Sequence, residues 1–366
     1  MSTRSGRPFA GAGPRGVICA VAAGWLVACA VAQAQPPLVR YGDPVPRDVR
    51  DIYDAGLRYL LRTQDASGAW KDGQAGPGVT GMAVMVMLAS GDDPNHGPHA
   101  VPLRKALRSM IGQQDATTGF MSGDGNPSMY QHGFAMLALA EAYGAVDDRT
   151  LWAGAGGEGR GRSIGQSLEL AVRAAVTAGR KNPLGGWHYG PDMPSADTSV
   201  SGAVFMGLLA ARNAGIEVPD ETIDRAIKYY QAMTGGNGQV GYSGGPGGGS
   251  DAVTSIGVLV YSIARRKDLP QYAKAIEYLG ERTANPQGMG ENHAAYTRYY
   301  RAQALFQGDV DGWARWNERL VREVKAVQAK DGSVSWPQGG ISPMVDTALT
   351  MLSLAVNYKF LPIYER

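Results

Sequence analysis

A chain of 366 residues with 35 Lys and Arg against 33 Asp and Glu carries a formal charge of only +2, and its two cysteines, Cys19 and Cys29, both fall near the N-terminus. That balance lacks the basic footprint that phosphate contacts require, which speaks against nucleic acid as a partner. Beyond Cys29 there is no thiolate nucleophile, no disulfide and no cysteine metal ligand, so stability rests on a packed core.

Arg4, Arg7 and Arg15 open the chain, with no acid before Asp43; an uncharged run follows from Val17 to Val31, and Ala32-Gln33-Ala34 supplies small residues at its exit. Charged head, apolar middle and small-residue exit predict a secretory signal peptide over 1–34. The run is shorter than the ~20 residues of a spanning helix. A rival processing site, Leu26-Val27-Ala28-Cys29, reads as a lipobox; membrane contact is expected only if Cys29 is lipidated. Removing 1–34 takes away three arginines and no acids, so the formal charge passes from +2 to −1. A linker over 35–48 and one domain over 49–366 are expected, in a periplasmic or secreted protein.

Fifty-one glycines are about twice the usual share, and they cluster between helical stretches in a way that calls for repeats. From Asp51, the residues Ile52, Ala55, Leu57, Leu60 and Leu61 place an apolar face at helical spacing, with Gln64 ending the stretch. A turn with Gly68 and Trp70 follows, and from Thr80 runs a segment apolar nearly all round, as a buried helix reads. The unit of amphipathic helix, glycine-aromatic turn and buried helix recurs at 103–114 with 132–144, 167–179 with 198–215, and 221–233 with 252–266. It recurs again at 272–283 with 294–307 and at 316–328 with 346–358, a period of about fifty residues interrupted by an insertion around 145–163. Six hairpins make twelve helices. A helix apolar on every side needs neighbours on every side, so the prediction is an all-α ring, an α/α toroid with the buried helices inside. An open solenoid is the alternative.

Tyr59-Leu60, Gln64, Gly68 and Trp70 have the spacing aromatic-Leu-x3-Gln-x3-Gly-x-Trp, with Gly56 before them. This resembles the QW motif of squalene and oxidosqualene cyclases, lacking only the basic residue before its first glycine. Gln328, Gly332 and a displaced Trp336 give a looser copy, and Gln114 with Gly119 one looser still. GGWHYGP at 185–191, followed by Asp197-Thr198-Ser199, is similar to the squalene-cyclase-like repeat of bacterial exported proteins. The closing LPIYER resembles the tail of exported members. The resemblance, over about 49–366, implies the toroid of terpenoid cyclases and prenyltransferase β-subunits, with a central cavity and a structural role for Gln64 and Trp70.

The cyclase reaction in that family uses a DxDD acid cluster, which is absent here. Asp197 and Asp346 each precede a threonine at the start of a buried helix and are the catalytic candidates; the competing reading is helix capping. The zinc of the prenyltransferases requires a cysteine that the chain lacks beyond the leader, so no metal and no cofactor are expected. His132, Asp251 and His293 also stand at or before starts of buried helices, with Tyr130, Trp187, Tyr242, Tyr296 and Trp336 near them. Ring closure would gather all of these at one mouth, where the positive ends of helices point. The expected function is binding or scaffolding in the cell envelope, with an apolar ligand or an envelope protein as partner. Two alternatives stay open: a terpenoid cyclase or isomerase acting on an isoprenoid, and a polysaccharide-active toroid using Arg298 and Arg301.

Overall fold

The computed structural model describes residues 45–71, 76–122, 128–153, 161–285 and 293–364. The expected signal peptide, the lipidation site at Cys29 and most of the linker over 35–48 lie outside them.

Thirteen α-helices and one 3-10 turn form among the described residues, which have isolated β-bridges but no strands. Six outer helices are α1 (Arg47–Thr63), α3 (Ala100–Gly112), α6 (Ile164–Lys181), α8 (Asp220–Met233), α10 (Pro270–Ala284) and α12 (Val310–Val327). They alternate with inner helices α2 (Pro77–Ala89), α4 (Met129–Ala142), α7 (Thr198–Asn213), α9 (Asp251–Ile263), α11 (Ala294–Gly308) and α13 (Pro343–Ala355). The twelve expected helices are all present. The thirteenth, α5 (Asp148–Leu151), is a single turn in the 145–163 insertion and packs on α3.

The ring closes. Each inner helix packs on the next, α2 on α4, then α7, α9, α11 and α13, and α13 returns to α2. In α2 every residue from Pro77 to Met87 is buried, as the all-round apolar pattern requires. Neighbouring inner helices run parallel: a Cβ on Gly78 would meet Gln131 and one on Gly81 would meet Phe134 and Ala138, while Gly133 faces Ala203 and Gly207 faces Leu137. At Gly133 an added Cβ would lie 2.6 Å from the Ala203 carbonyl carbon, so α4 and α7 touch almost backbone to backbone.

One device joins consecutive repeats. The Gln64 amide donates to Gly68 O at 3.0 Å in its own turn and to Pro102 O at 2.9 Å in α3. Gln114 does the same to Gly119 and to Ser167 of α6, and Gln328 to Gly332 and to Ile52 of α1. The last repeat is thus tied to the first by the bond that ties the first to the second. Gly68 and Gly332 adopt φ of 90° and 91°, and a side chain on either would press into a carbonyl of the next outer helix, Lys105 or Ala55. Gly119, Gly185 and Gly238 repeat that arrangement. Trp70 packs beneath its turn and donates its indole N–H to Leu60 O at 2.8 Å.

Beyond α13 the chain crosses the ring. Leu361 and Ile363 are buried, and the 3-10 turn Pro362–Tyr364 packs on α7, which stands opposite α13. The Ile363 N–H donates to Glu141 at the end of α4. This tail lies across the mouth formed by inner-helix C-termini. Among the described residues no helix is long and apolar enough to cross a membrane.

Candidate functional site

The other mouth is built from inner-helix N-termini, and most of its polar side chains are first of all structural. The fourth residue of the inner helix is polar and buried in repeat after repeat: Thr80, His132, Ser201, Thr254 and Thr297. His132 Nδ1 accepts the Met121 N–H at 3.1 Å, Ser201 Oγ that of Trp187 at 2.8 Å, and Thr254 Oγ1 that of Val240 at 3.1 Å. Thr347, one residue later in α13, takes the Val334 N–H at 2.8 Å. His132, Ser201, Thr254 and Thr347 each satisfy a backbone donor in the turn after the outer helix.

His132 therefore faces the outer ring. Its Nε2 lies 3.0 Å from Ala171 O of α6, so with Nδ1 accepting, Nε2 carries the proton and the ring is neutral. Burial holds its pKa down to about 4. Trp187 is likewise turned outward, donating to Ala175 O at 2.9 Å and stacking on Phe205.

Asp197 is the N-cap of α7. Its Oδ1 accepts Ser199 N–H at 2.8 Å, Val200 N–H at 2.9 Å and the Ser199 hydroxyl, with the residue 2% exposed. Asp346, 1% exposed in the first turn of α13, receives Ile341 N–H at 3.0 Å and Trp336 N–H at 3.4 Å and so folds the 336–341 loop over the helix start. Asp251 opens α9 and holds two guanidinium groups, Arg282 at 3.2 Å and Arg301 at 3.0 Å. Arg298 pairs with Glu323 at 3.0 Å and lies 3.8 Å over the Trp336 ring. His293, exposed and with φ of 59°, precedes α11 and makes no side-chain cap bond.

Tyr296 is brought to the axis. It meets Tyr130 of α4, on the opposite side of the ring, hydroxyl to hydroxyl, and its hydroxyl is 3.5 Å from Ser199 O. One turn deeper Phe134 and Tyr299 meet with ring centroids 6.0 Å apart. At these two levels aromatic side chains from opposite helices fill the axis. Above them the rings continue outward: Tyr130 lies 6.0 Å from Tyr189, and the Tyr242 backbone carbonyl accepts the Thr198 N–H at 2.9 Å. Burial first, then the nearby Asp197 and Tyr189, pushes the Tyr242 phenol well above its ordinary pKa.

Tyr189 and Tyr242 are the aromatic groups this mouth offers to solvent, each 42% exposed, and Met193 and Ile341 are exposed on loops of the same mouth. Tyr189 is the residue sequence reasoning passed over. Its signal was the flanking Gly190-Pro191, which marks a loop where a phenol has no core to enter. The mouth thus brings Asp197 and Tyr296 together with Tyr130, Tyr189 and Tyr242, and leaves His132 and Trp187 in the wall. No group of three His, Cys, Asp or Glu among the described residues is arranged to hold a metal.

No family model matches the chain, and no curated protein matches it. Solved structures do. An inactive variant of the alpha-1,6-mannanase of a Salegentibacter species, in complex with alpha-1,6-mannotetrose, superposes with a TM-score of 0.59 at 10% identity, over 84% of this chain and 98% of that one. A family 76 glycoside hydrolase (mannosidase) of Bacteroides thetaiotaomicron gives 0.58 at 11% identity, over 85% and 98%. A type II terpene cyclase from Scytonema, holding geranylgeranyl dihydroxybenzoate, gives 0.58 at 17% identity, over 86% and 98%. The chain shares the α/α toroid with both kinds of enzyme, and likeness at these identities is one of fold.

Proposed function

We propose that the chain is an exported toroid of the cell envelope that binds a ligand at the mouth formed by inner-helix N-termini. The observation that carries this reading is how the two candidate catalytic acids are occupied. Asp197 and Asp346 each receive at least two backbone N–H groups and are nearly inaccessible, so their carboxylates hold loops and helix ends in place. A proton donor for a cyclase or a glycosidase needs a reactant within hydrogen-bond reach. What the mouth presents instead is a pair of half-exposed phenols over a packed aromatic floor.

Secreted protein purified without detergent should co-purify with, or take up, a small molecule seen by native mass spectrometry. The Tyr189→Ala, Tyr242→Ala double variant should lose it. The reading fails if Asp346→Asn, with its fold intact, abolishes a turnover that wild type displays, because the acid would then be chemical rather than structural.

A further inference from the structure

We infer that the ligand of this mouth is a neutral carbohydrate chain, laid across the Tyr189 and Tyr242 rings; the inference rests on the binding role proposed above. Three features separate it from other ligands. The exposed aromatic groups are the two phenols of Tyr189 and Tyr242, each half-exposed. A ring face accepts the C–H side of a pyranose, and a phenol edge exchanges hydrogen bonds with its hydroxyls. The two tyrosines come from different loops, 187–197 and 240–249, which are fastened by the Asp197–Ser243 bridge and by Thr198 N–H donating to Tyr242 O at 2.9 Å. The platform is therefore held before any ligand arrives, which lowers the cost of ordering it.

The arginines of the mouth argue for a neutral sugar. Arg282 and Arg301 both lie on Asp251, and Arg298 lies on Glu323. An acidic sugar or a phosphate would have to displace a carboxylate from its guanidinium to gain a charged contact. The axis argues against a long apolar chain. Tyr130 meets Tyr296 and Phe134 meets Tyr299 across the ring, so an isoprenoid could thread the centre only by moving both pairs.

The test is calorimetric titration of the full exported chain with neutral gluco- and manno-oligosaccharides, with oligogalacturonate, and with phosphatidylglycerol vesicles. Binding by a neutral oligosaccharide is expected, weakened about tenfold by Tyr189→Ala and by Tyr242→Ala, and less by Tyr242→Phe, which keeps the ring. Far-UV circular dichroism and melting temperature confirm that each variant is folded. Neutral binding that both alanine variants leave unchanged overturns the site. Binding of galacturonate or vesicles alone overturns the ligand class and leaves the binding role standing. Silence with every probe, together with no co-purifying molecule, overturns both.

Discussion

Replacing Asp197 with alanine separates a structural acid from a chemical one. The substitution removes the acceptor for two buried N–H groups, Ser199 at 2.8 Å and Val200 at 2.9 Å, and for the Ser199 hydroxyl. Loss of an N-cap costs about 0.5–2 kcal/mol, and leaving buried donors unsatisfied about 1–3 kcal/mol; the two overlap, giving about 3 kcal/mol in all. Asp197→Asn keeps an oxygen where Oδ1 stands and should cost about 1 kcal/mol. For a cooperative domain of this size, with an unfolding entropy of about 2.1 cal/mol/K per residue, each kcal/mol moves the melting temperature by about 1.5 °C. Differential scanning calorimetry should therefore show a drop of about 4–5 °C for alanine and about 1–2 °C for asparagine. An alanine variant that melts with wild type would refute the capping argument. So would an asparagine variant that keeps its stability yet loses a turnover shown by wild type.

Three further expectations concern the frame of the ring. His132 is held neutral with a pKa of about 4 against an ordinary 6.5. Its contribution to stability is therefore complete above pH 6.5 and is lost as pH falls from there toward 4, by about 2.5 kcal/mol at pH 4.5. Urea unfolding of wild type and His132→Gln at pH 7 and pH 4.5 should show the gap between them narrowing by about that amount; parallel curves would count against it. Gly133→Ala forces a methyl into the Ala203 backbone and should destabilise by about 3 kcal/mol, more than overpacking against movable side chains does, with a wild-type urea midpoint as the contrary result. Leu361→Ala with Ile363→Ala empties two buried positions of the crossing tail and should cost about 4–6 kcal/mol; a change under about 1 kcal/mol would mean the tail is a passenger.

Hydrophobic period carried most of the architecture. Runs such as GMAVMVMLAS and the face made by Ile52, Leu57 and Leu60 admit one placement each, inside and outside, because burial on all sides or on one stripe leaves no other. Closure was legible only as an inference from those inner runs. Its direct signature, Gln328 reaching Ile52, joins residues 276 positions apart, and nothing local to either marks the pair. The site was harder for a different reason. Asp197, Asp346 and His132 have the residue types of catalysis, yet in this fold the same atoms answer backbone donors, and only the third dimension shows which demand is met. His132 occupies the position that Ser201 and Thr254 fill elsewhere, and all three accept a backbone N–H there, a role that three different side-chain types conceal in the sequence. Tyr189 carried no periodic signal, since exposure in a loop follows from what fails to pack against it.

The bond from Gln328 to Ile52 also governs when the fold can be finished. A helical array open at both ends consolidates repeat by repeat as it leaves the ribosome. Here the first repeat has no partner on one flank until the sixth has been synthesised, and the tail that crosses to α7 comes later still. The inner helices made early must wait with apolar faces uncovered. A nascent chain of this design stays unfinished until the sixth repeat emerges, which makes it dependent, in that interval, on whatever shields those faces from aggregation.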